Sequence, residues 1–573
     1  MKMDKTLAIL VLLLTILTFF LPSIAKKRAS RLLRLVYLAP LFFCVLLAPF
    51  AGWEIGGIGM YLAAVLVMLE LYMEKQSMRN LLSVAAAAAV IATLIFMNVS
   101  PMYHRVDYLS DFESAFATMK EHYVLTEEKD IDWDALYAEY KPQFEKITKE
   151  QDAYLCDVMW TKFAQEFYDG HVEYSPAKDE AVHELHARLF GNDYGLSMLR
   201  LEDGHFVAVN VEGCGNSYTI TDPGEDYDFV SDYMSETAEE DRLQLRNAGL
   251  HNGSVITSWN GRAVEEMTAQ VEVTLYSNPD CRNEEFYRPA YAAGIGEDEV
   301  TIGFIGDDGE EKSVTANALG PYYPRLRTTI QTLDAGMNIS NLDWCMVDEK
   351  TALLRIDSMM YDLAAYSGDD YSEMTEELRL MIDALDQSDV ERLIFDLRMN
   401  GGGSPFMVKA VAELFAPKGE HLLSYNARIN EHEVRYERGA DGRYIMGEPI
   451  IYTGEDLWAG REIIILVNAE TVSAGDMMTY IMAEYPNVTI MGFTGSNSSC
   501  QAVSQIPLKK AELSYSAVPN LDANGELIID TRTDHVSRVP VDHFIPLTEE
   551  AIRGIYDEGG DYVLEYALQY AVK

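Results

Sequence analysis

Apolar residues are spaced in four different ways along this chain, and each change of spacing marks a change of structure. Residues 1–100 hold four nearly uninterrupted apolar stretches, Thr6 to Ala25, Leu35 to Trp53, Ile55 to Met73 and Leu81 to Met97. Each is close to the ~20 residues that cross a hydrocarbon layer as a helix, so the pattern predicts a transmembrane segment with four helices. From Asp107 to about Glu166 apolar side chains return every three to four residues, first Phe112, Phe116, Met119 and Tyr123, then Trp133, Leu136, Tyr137 and Tyr140. That spacing predicts amphipathic helices forming a collar within 101–194, with Asp132 as a helix start. Residues 195–320 switch to short alternating runs such as Phe206, Ala208, Asn210 and Thr301, Gly303, Ile305 between Gly, Asp and Asn turns, which predicts a β-rich insert.

Beyond 321 the pattern changes again. TALLRIDS, ERLIFDLR, REIIILVNA and VTIMGF are continuous apolar runs, separated by amphipathic stretches Met374 to Leu385, Phe406 to Phe415 and Ala474 to Ala483. Uninterrupted Ile, Leu and Val between helices predict a buried, largely parallel sheet, so residues 321–573 read as an α/β core. No internal repeat or low-complexity tract is visible.

Charge refines this organisation. The formal net charge is -46, yet residues 1–100 are net basic, so the acidic excess lies wholly beyond them. A field of that sign repels phosphate backbones, which excludes nucleic acid as a partner. The basic cluster Lys26, Lys27, Arg28, Arg31 and Arg34 follows the first apolar stretch, and the positive-inside bias assigns it to the cytoplasm. Four spans then place everything after residue 100 outside, as a multi-pass cell-membrane protein with the lipid bilayer as one partner. Six cysteines show neither metal spacing nor a disulfide framework, and no metal or cofactor is implied.

Two turns of the core carry candidate chemistry, at strand ends where open α/β sheets place their ligands. Ser473 lies in LVNAETVSAGDMM, after a buried strand and directly before a helix starting at about Ala474. A serine there sits among unpaired backbone N–H groups able to stabilise an oxyanion, although a plain helix cap is the ordinary role. The second turn, DLRMNGGGSP at 396–405, brings backbone N–H groups close to a ligand through its glycines; with no Lys-Ser/Thr after them, a phosphate loop is disfavoured. In the insert, AGLHNGSVITSWNGRAVEEM at 248–267 pairs a turn, a strand, an Asn-Gly turn and a helix start.

These segments together resemble the C-terminal processing (tail-specific) serine peptidases, including their tricorn-like branch, over most of residues 110–573. IFDLRMNGGG is similar to the family's strand and glycine turn, VNAETVSAGDMM to its nucleophile segment, VTIMGFTGSNSSCQ to the segment that follows, and VPVDHFIPLTEEAIRGIYDEGGDYVLEYAL to its closing pattern. The 248–267 run resembles the carboxylate-end signature of PDZ domains, with Ser254 where Asp is usual, which implies substrate capture at Gly249, Leu250 and Ile256. The resemblance implies a ClpP/crotonase-like core, Ser473 as nucleophile, and oxyanion donors from Ala474 and from Gly401 or Gly402.

One departure stands out. Where family members with a Ser-Lys dyad carry lysine, this chain reads GFTGSNSSC, with Ser498 or a neighbour in its place; Lys509 and Lys510 read as a solvated hairpin turn. A serine without a base is a weak nucleophile. His171, in FYDGHVEYSP, resembles the histidine segment of the tricorn-like branch and is suited to take and return the proton. A third group should orient the ring. Asp169, Asp476, Glu470, Asp530, Asp534 and Asp542 are all available, and the tricorn-like branch favours Asp530 or Asp534. The expectation is a membrane-anchored serine endopeptidase acting on extracytoplasmic polypeptides; the alternative is a catalytically inactive peptide-binding receptor or scaffold of the same fold.

Overall fold

The computed structural model describes residues 78, 106–176, 185, 189–211, 243–271, 273, 279–334, 339–361, 370–430 and 435–570. Two compact units divide the chain, Met1–Asp107 and Tyr108–Lys573, and the elements below belong to the second. The four apolar stretches of residues 1–100 lie outside the described residues. Among the described residues no helix is long and apolar enough to cross a membrane. The expected fold class is corrected accordingly: the architecture supported is mixed α/β, and neither the four-span segment nor the bilayer partner is supported among the described residues. The physical reason is visible in the longest described helix, Trp133–Glu150, whose 18 residues include Asp134, Glu139, Lys141, Glu145, Lys146, Lys149 and Glu150.

The collar consists of α1 (Tyr108–His122), α2 (Trp133–Glu150) and α3 (Ala153–Gln165). Asp132 caps α2 by accepting the N–H groups of Asp134 at 3.1 Å and Ala135 at 2.9 Å, which satisfies donors that the helix itself cannot. Its core is aromatic, with Phe112 stacked on Phe144 at 4.5 Å between centroids and Trp160 edge-on to Phe163 at 5.6 Å. A short strand, β1 (Glu173–Pro176), leaves the collar.

The insert contributes the hairpin β2 (Ser197–Arg200) and β3 (Phe206–Val209), then β4 (Ile256–Trp259), β5 (Arg262–Ala263), β6 (Glu299–Ile305) and β7 (Glu311–Asn317). The last four form one antiparallel sheet in the order β5-β4-β6-β7. Asn260 and Gly261, with φ of 50° and 74°, make the tight link between β4 and β5 that an Asn-Gly pair favours.

A six-stranded sheet organises the rest. Its strands are β8 (Trp344–Met346), β9 (Thr351–Arg355), β10 (Arg392–Asp396), β11 (Glu462–Leu466), β12 (Val488–Gly492) and β13 (His543–Phe544), side by side in that order. All neighbours run parallel except β8 with β9. Leu353, Ile394 and Ile464 are in register and share one buried face, while Leu354, Phe395 and Ile465 share the other beneath the helices Ser372–Asp386, Pro405–Phe415 and Ala474–Met482. Both faces are covered, which is why these strands read as unbroken apolar runs.

Register matters for the site because Asp396 pairs with Leu466, so β10 and β11 end level with each other. Arg398 locks that edge. Fully buried, it donates to Asp396 Oδ1 at 2.9 Å and to Asp561 Oδ1 at 2.8 Å, tying the strand end to the last helix, Tyr562–Gln569. A hairpin of Ala502–Pro507 and Ala511–Val518 adds β1 along its outer edge, pairing Glu173 with Ser514. This pairing brings the end of the collar to the core.

Candidate active site

The backbone at Ser473 is bent into a conformation few side chains adopt, φ 62° and ψ -116°, at the point where the loop after β11 turns into the helix Ala474–Met482. Such a turn costs on the order of 1–3 kcal/mol and persists only when its surroundings hold it. Here they do. The Ser473 N–H donates to the Ser499 carbonyl at 2.9 Å and to Asp476 Oδ2 at 3.0 Å. Asp476, fully buried, also accepts the N–H groups of Ser498 at 2.9 Å and Ser499 at 3.0 Å, so one carboxylate clasps both the turn and the segment 498–499. Burial pushes this carboxyl up to about 7, while the same N–H groups oppose the rise.

The glycine turn lies directly against it. A Cβ added at Gly402 would stand 2.6 Å from Ser473 Cβ and 3.2 Å from Ala474 N, and Gly402 has a φ of 90°. Only glycine allows both the fold of the turn and this approach. Asn400 fixes the turn: its carbonyl accepts the Val472 N–H at 2.9 Å, its Nδ2 donates to the Ile356 carbonyl at 2.7 Å, and its Oδ1 accepts the Gly402 N–H at 2.9 Å. Of the three donors expected to face an oxyanion, Gly402 is therefore occupied. No acceptor among the described residues takes the N–H of Gly401 or Ala474.

His171 arrives from the other side. The Gly170 N–H donates to Ser499 Oγ at 2.8 Å, and Ser499 is the residue whose carbonyl receives the Ser473 N–H, so the segment with the imidazole and the segment with the hydroxyl meet on one residue. A Cβ at Gly170 would lie 2.0 Å from Asn497 Oδ1, which shows how closely they pack. Asp169, fully buried, accepts the His171 N–H at 2.9 Å, the Tyr123 hydroxyl at 3.1 Å and the Ser516 hydroxyl at 2.8 Å. Burial holds the His171 ring below its ordinary 6.5, with Asp169 and the Gln501 carbonyl pulling upward, so a neutral imidazole is favoured. Its Nδ1 is buried without a hydrogen-bond partner.

The two acids favoured by sequence part company. Asp530 is fully buried beside this cluster, accepting the Gln501 side-chain N–H at 2.6 Å and the Cys500 N–H at 3.2 Å. Burial and then the Asp169 charge push it up to about 7. Asp534 is exposed and paired with Arg538 at 3.0 Å. At the position of the family lysine, Ser498 is buried with a φ of 68°. Lys509 pairs with Asp111 of the collar at 2.8 Å.

In the insert, Leu250 and Ile256 point into the core, at 0% and 2% exposure. Gly249 has a φ of 86°, and the N–H groups of Gly249 and Leu250 donate to the carbonyls of Arg246 at 2.9 Å and Leu245 at 3.0 Å. Those two donors cap the short helix Gln244–Asn247. Among the described residues no group of three or more His, Cys, Asp or Glu is placed to hold a metal ion.

Sequence reasoning passed over Asn400 and Ser499 and left Asp476 among several acids. Asp476 had a readable signal, an acid three residues after a serine at a helix start, which is the capping-box spacing. Ser499 had none, because its partners Gly170 and Ser473 are remote in sequence.

Residues 350–533 match the model of Peptidase family S41, and residues 104–164 match that of the Tricorn protease C1 domain. The carboxy-terminal processing protease CtpA of Bacillus subtilis (strain 168) is 27% identical over 125 residues, 22% of this chain and 23% of that protein, so the chain spans about a quarter of this curated relative. Among solved structures, mature CPAF complexed with lactacystin aligns with a TM-score of 0.48 and 13% identity over 81% of this chain and 98% of that one. The photosystem II D1 C-terminal processing protease aligns with a TM-score of 0.32 and 13% identity over 80% of this chain and 100% of that one.

Proposed function

We propose, from the match of residues 350–533 to the model of Peptidase family S41, that the chain is a serine-type endopeptidase with Ser473 as nucleophile and His171 as base. The observation that carries this reading is the meeting of the strained Ser473, at a helix start, with the glycine turn packed on its Cβ. Ser473 Oγ attacks a peptide carbonyl, and the neutral imidazole of His171 takes the hydroxyl proton and delivers it to the leaving amine. The carbonyl oxygen, as it gains charge, is received by the Gly401 and Ala474 N–H groups. Water then releases the acyl group from Ser473.

Polypeptides are the proposed substrates, with the β-rich insert of residues 195–320 as the module that captures an extended end and residues 321–573 as the core that cuts it. Leu250 and Ile256 act in that module as core residues beneath the surface, and Gly249 as the turn. An extracytoplasmic place of action is proposed on the acidic composition beyond residue 100; external protease added to intact cells tests it, since trimming only after lysis would refute it.

The unpartnered Nδ1 of His171 and the occupied Gly402 N–H favour a second reading, a peptide-binding scaffold without turnover. A fluorophosphonate probe separates the two. The peptidase reading expects covalent labelling of the full chain that is lost in Ser473→Ala, with the thermal midpoint kept. No labelling of the folded wild type, or labelling that survives the substitution, overturns it.

A further inference from the structure

The segment between the first two helices of the collar sends one cation into the interior. Lys129 is only 8% exposed, and its ammonium donates to the Tyr168 carbonyl at 2.6 Å and to Thr531 Oγ1 at 2.8 Å. Tyr168 precedes Asp169 and Thr531 follows Asp530, so the ammonium bridges two segments that each carry a fully buried carboxyl group, one bonded to the His171 backbone N–H and the other to the Gln501 side chain. A charge taken out of water survives only with compensation. Both buried carboxyl groups feel this one ammonium, so its charge bears on how readily the cluster, His171 included, takes up a proton.

We propose that Lys129 is the positioning residue of the catalytic site: it joins the Asp169 and Asp530 segments and sets the charge against which His171 becomes an imidazolium. This rests on the assignment of Ser473 and His171 given above. The action of Lys129 is electrostatic and geometric, exerted through Asp169, which holds the backbone N–H of His171, and through Asp530, which holds the side chain of Gln501. The other charged and titratable groups facing it are Arg532, Asp534 and His535 from the loop after Asp530, while Tyr123 from the collar side faces the two carboxyl groups, Asp169 and Asp530. The ammonium is itself held below its ordinary value by burial, against the pull of Asp169 and Asp530.

The sign of the effect follows from charge. Removing the cation raises the proton affinity of everything left in the cluster, and removing a carboxylate lowers it. The test is the rate of fluorophosphonate labelling of Ser473 against pH in the full-length protein, with a thermal midpoint measured for each variant. The wild type should lose reactivity as pH falls through an acid limb below 6.5. Lys129→Met should move that limb up by about one pH unit, roughly a tenfold loss at a pH within it. Lys129→Arg should leave it nearly in place. Asp530→Asn should move it down, and the Lys129→Met/Asp530→Asn pair should return it toward the wild type, giving a reading even if the single lysine variant does not fold.

A limb unmoved in Lys129→Met while the midpoint falls would make Lys129 scaffolding only and overturn the proposal. So would shifts of the same sign in Lys129→Met and Asp530→Asn. Failure of the folded wild type to label at all refutes the assignment of Ser473 instead, a different result in a different sample.

Discussion

Substituting Gly170 by alanine tests whether the His171 segment is placed by its contact with the segment after Ser473. The added Cβ would sit 2.0 Å from Asn497 Oδ1 and 2.9 Å from Ser499 Oγ, about 1.4 Å short of ordinary contact for the first. Gly170 is not among the glycines with positive φ, so alanine introduces no backbone strain there and the perturbation is purely steric. Overpacking of this kind costs roughly 1–3 kcal/mol when the surroundings resist. The separation needed is also of the size that matters to reactivity, since a misplacement of about 1 Å between reacting groups lowers rates roughly 100-fold. Gly170→Ala is therefore expected to slow fluorophosphonate labelling of Ser473 by about two orders of magnitude. Denaturant melts should show a loss of about 1–3 kcal/mol. Because the severest clash is with the Asn497 side chain, whose Oδ1 has no hydrogen-bond partner, Asn497→Ala added to Gly170→Ala should restore much of the rate, leaving only the 2.9 Å contact with Ser499 Oγ. A double variant as slow as the single one, or a single variant as fast as the wild type, would show that this contact does not set the site.

Two further outcomes are expected. Gly402→Ala forces a side chain onto a φ of 90° and against Ser473 Cβ at 2.6 Å, so labelling should fall at least 100-fold with a stability loss of about 1–3 kcal/mol; wild-type labelling would contradict the packing of the glycine turn on the nucleophile. Asp534→Asn breaks an exposed pair with Arg538 and should change stability by less than about 0.5 kcal/mol and labelling less than about twofold, measured in the same melts and kinetics.

How much of this was legible in the sequence differs by element. Four of the five parallel strands were, because Leu353, Ile394, Ile464 and Ile490 are buried in a sheet covered on both faces and leave continuous apolar runs. The helices that follow them were legible within two residues at each end. The antiparallel pair Gly419–Ala427 and Met446–Gly454 was not, since exposed positions such as Glu420, Glu448 and Ile451 interrupt any clean alternation. In the site, Ser473 announces itself by preceding a helix, and the glycine turn by its composition. The partners of His171 do not. Lys129 and Thr531 are 402 residues apart in sequence, and nothing local to TEEKD distinguishes a lysine bound for the interior from one bound for solvent.

That long reach bears on when the protein first becomes able to cut. The imidazole and its lysine are made early and the serine, with the acids that brace it, hundreds of residues later. Arg398, between them, waits for Asp561 near the end. On the proposed assignment, a growing chain therefore carries His171 without Ser473 for about 300 residues of synthesis, and the two halves of the site meet only after that span is made.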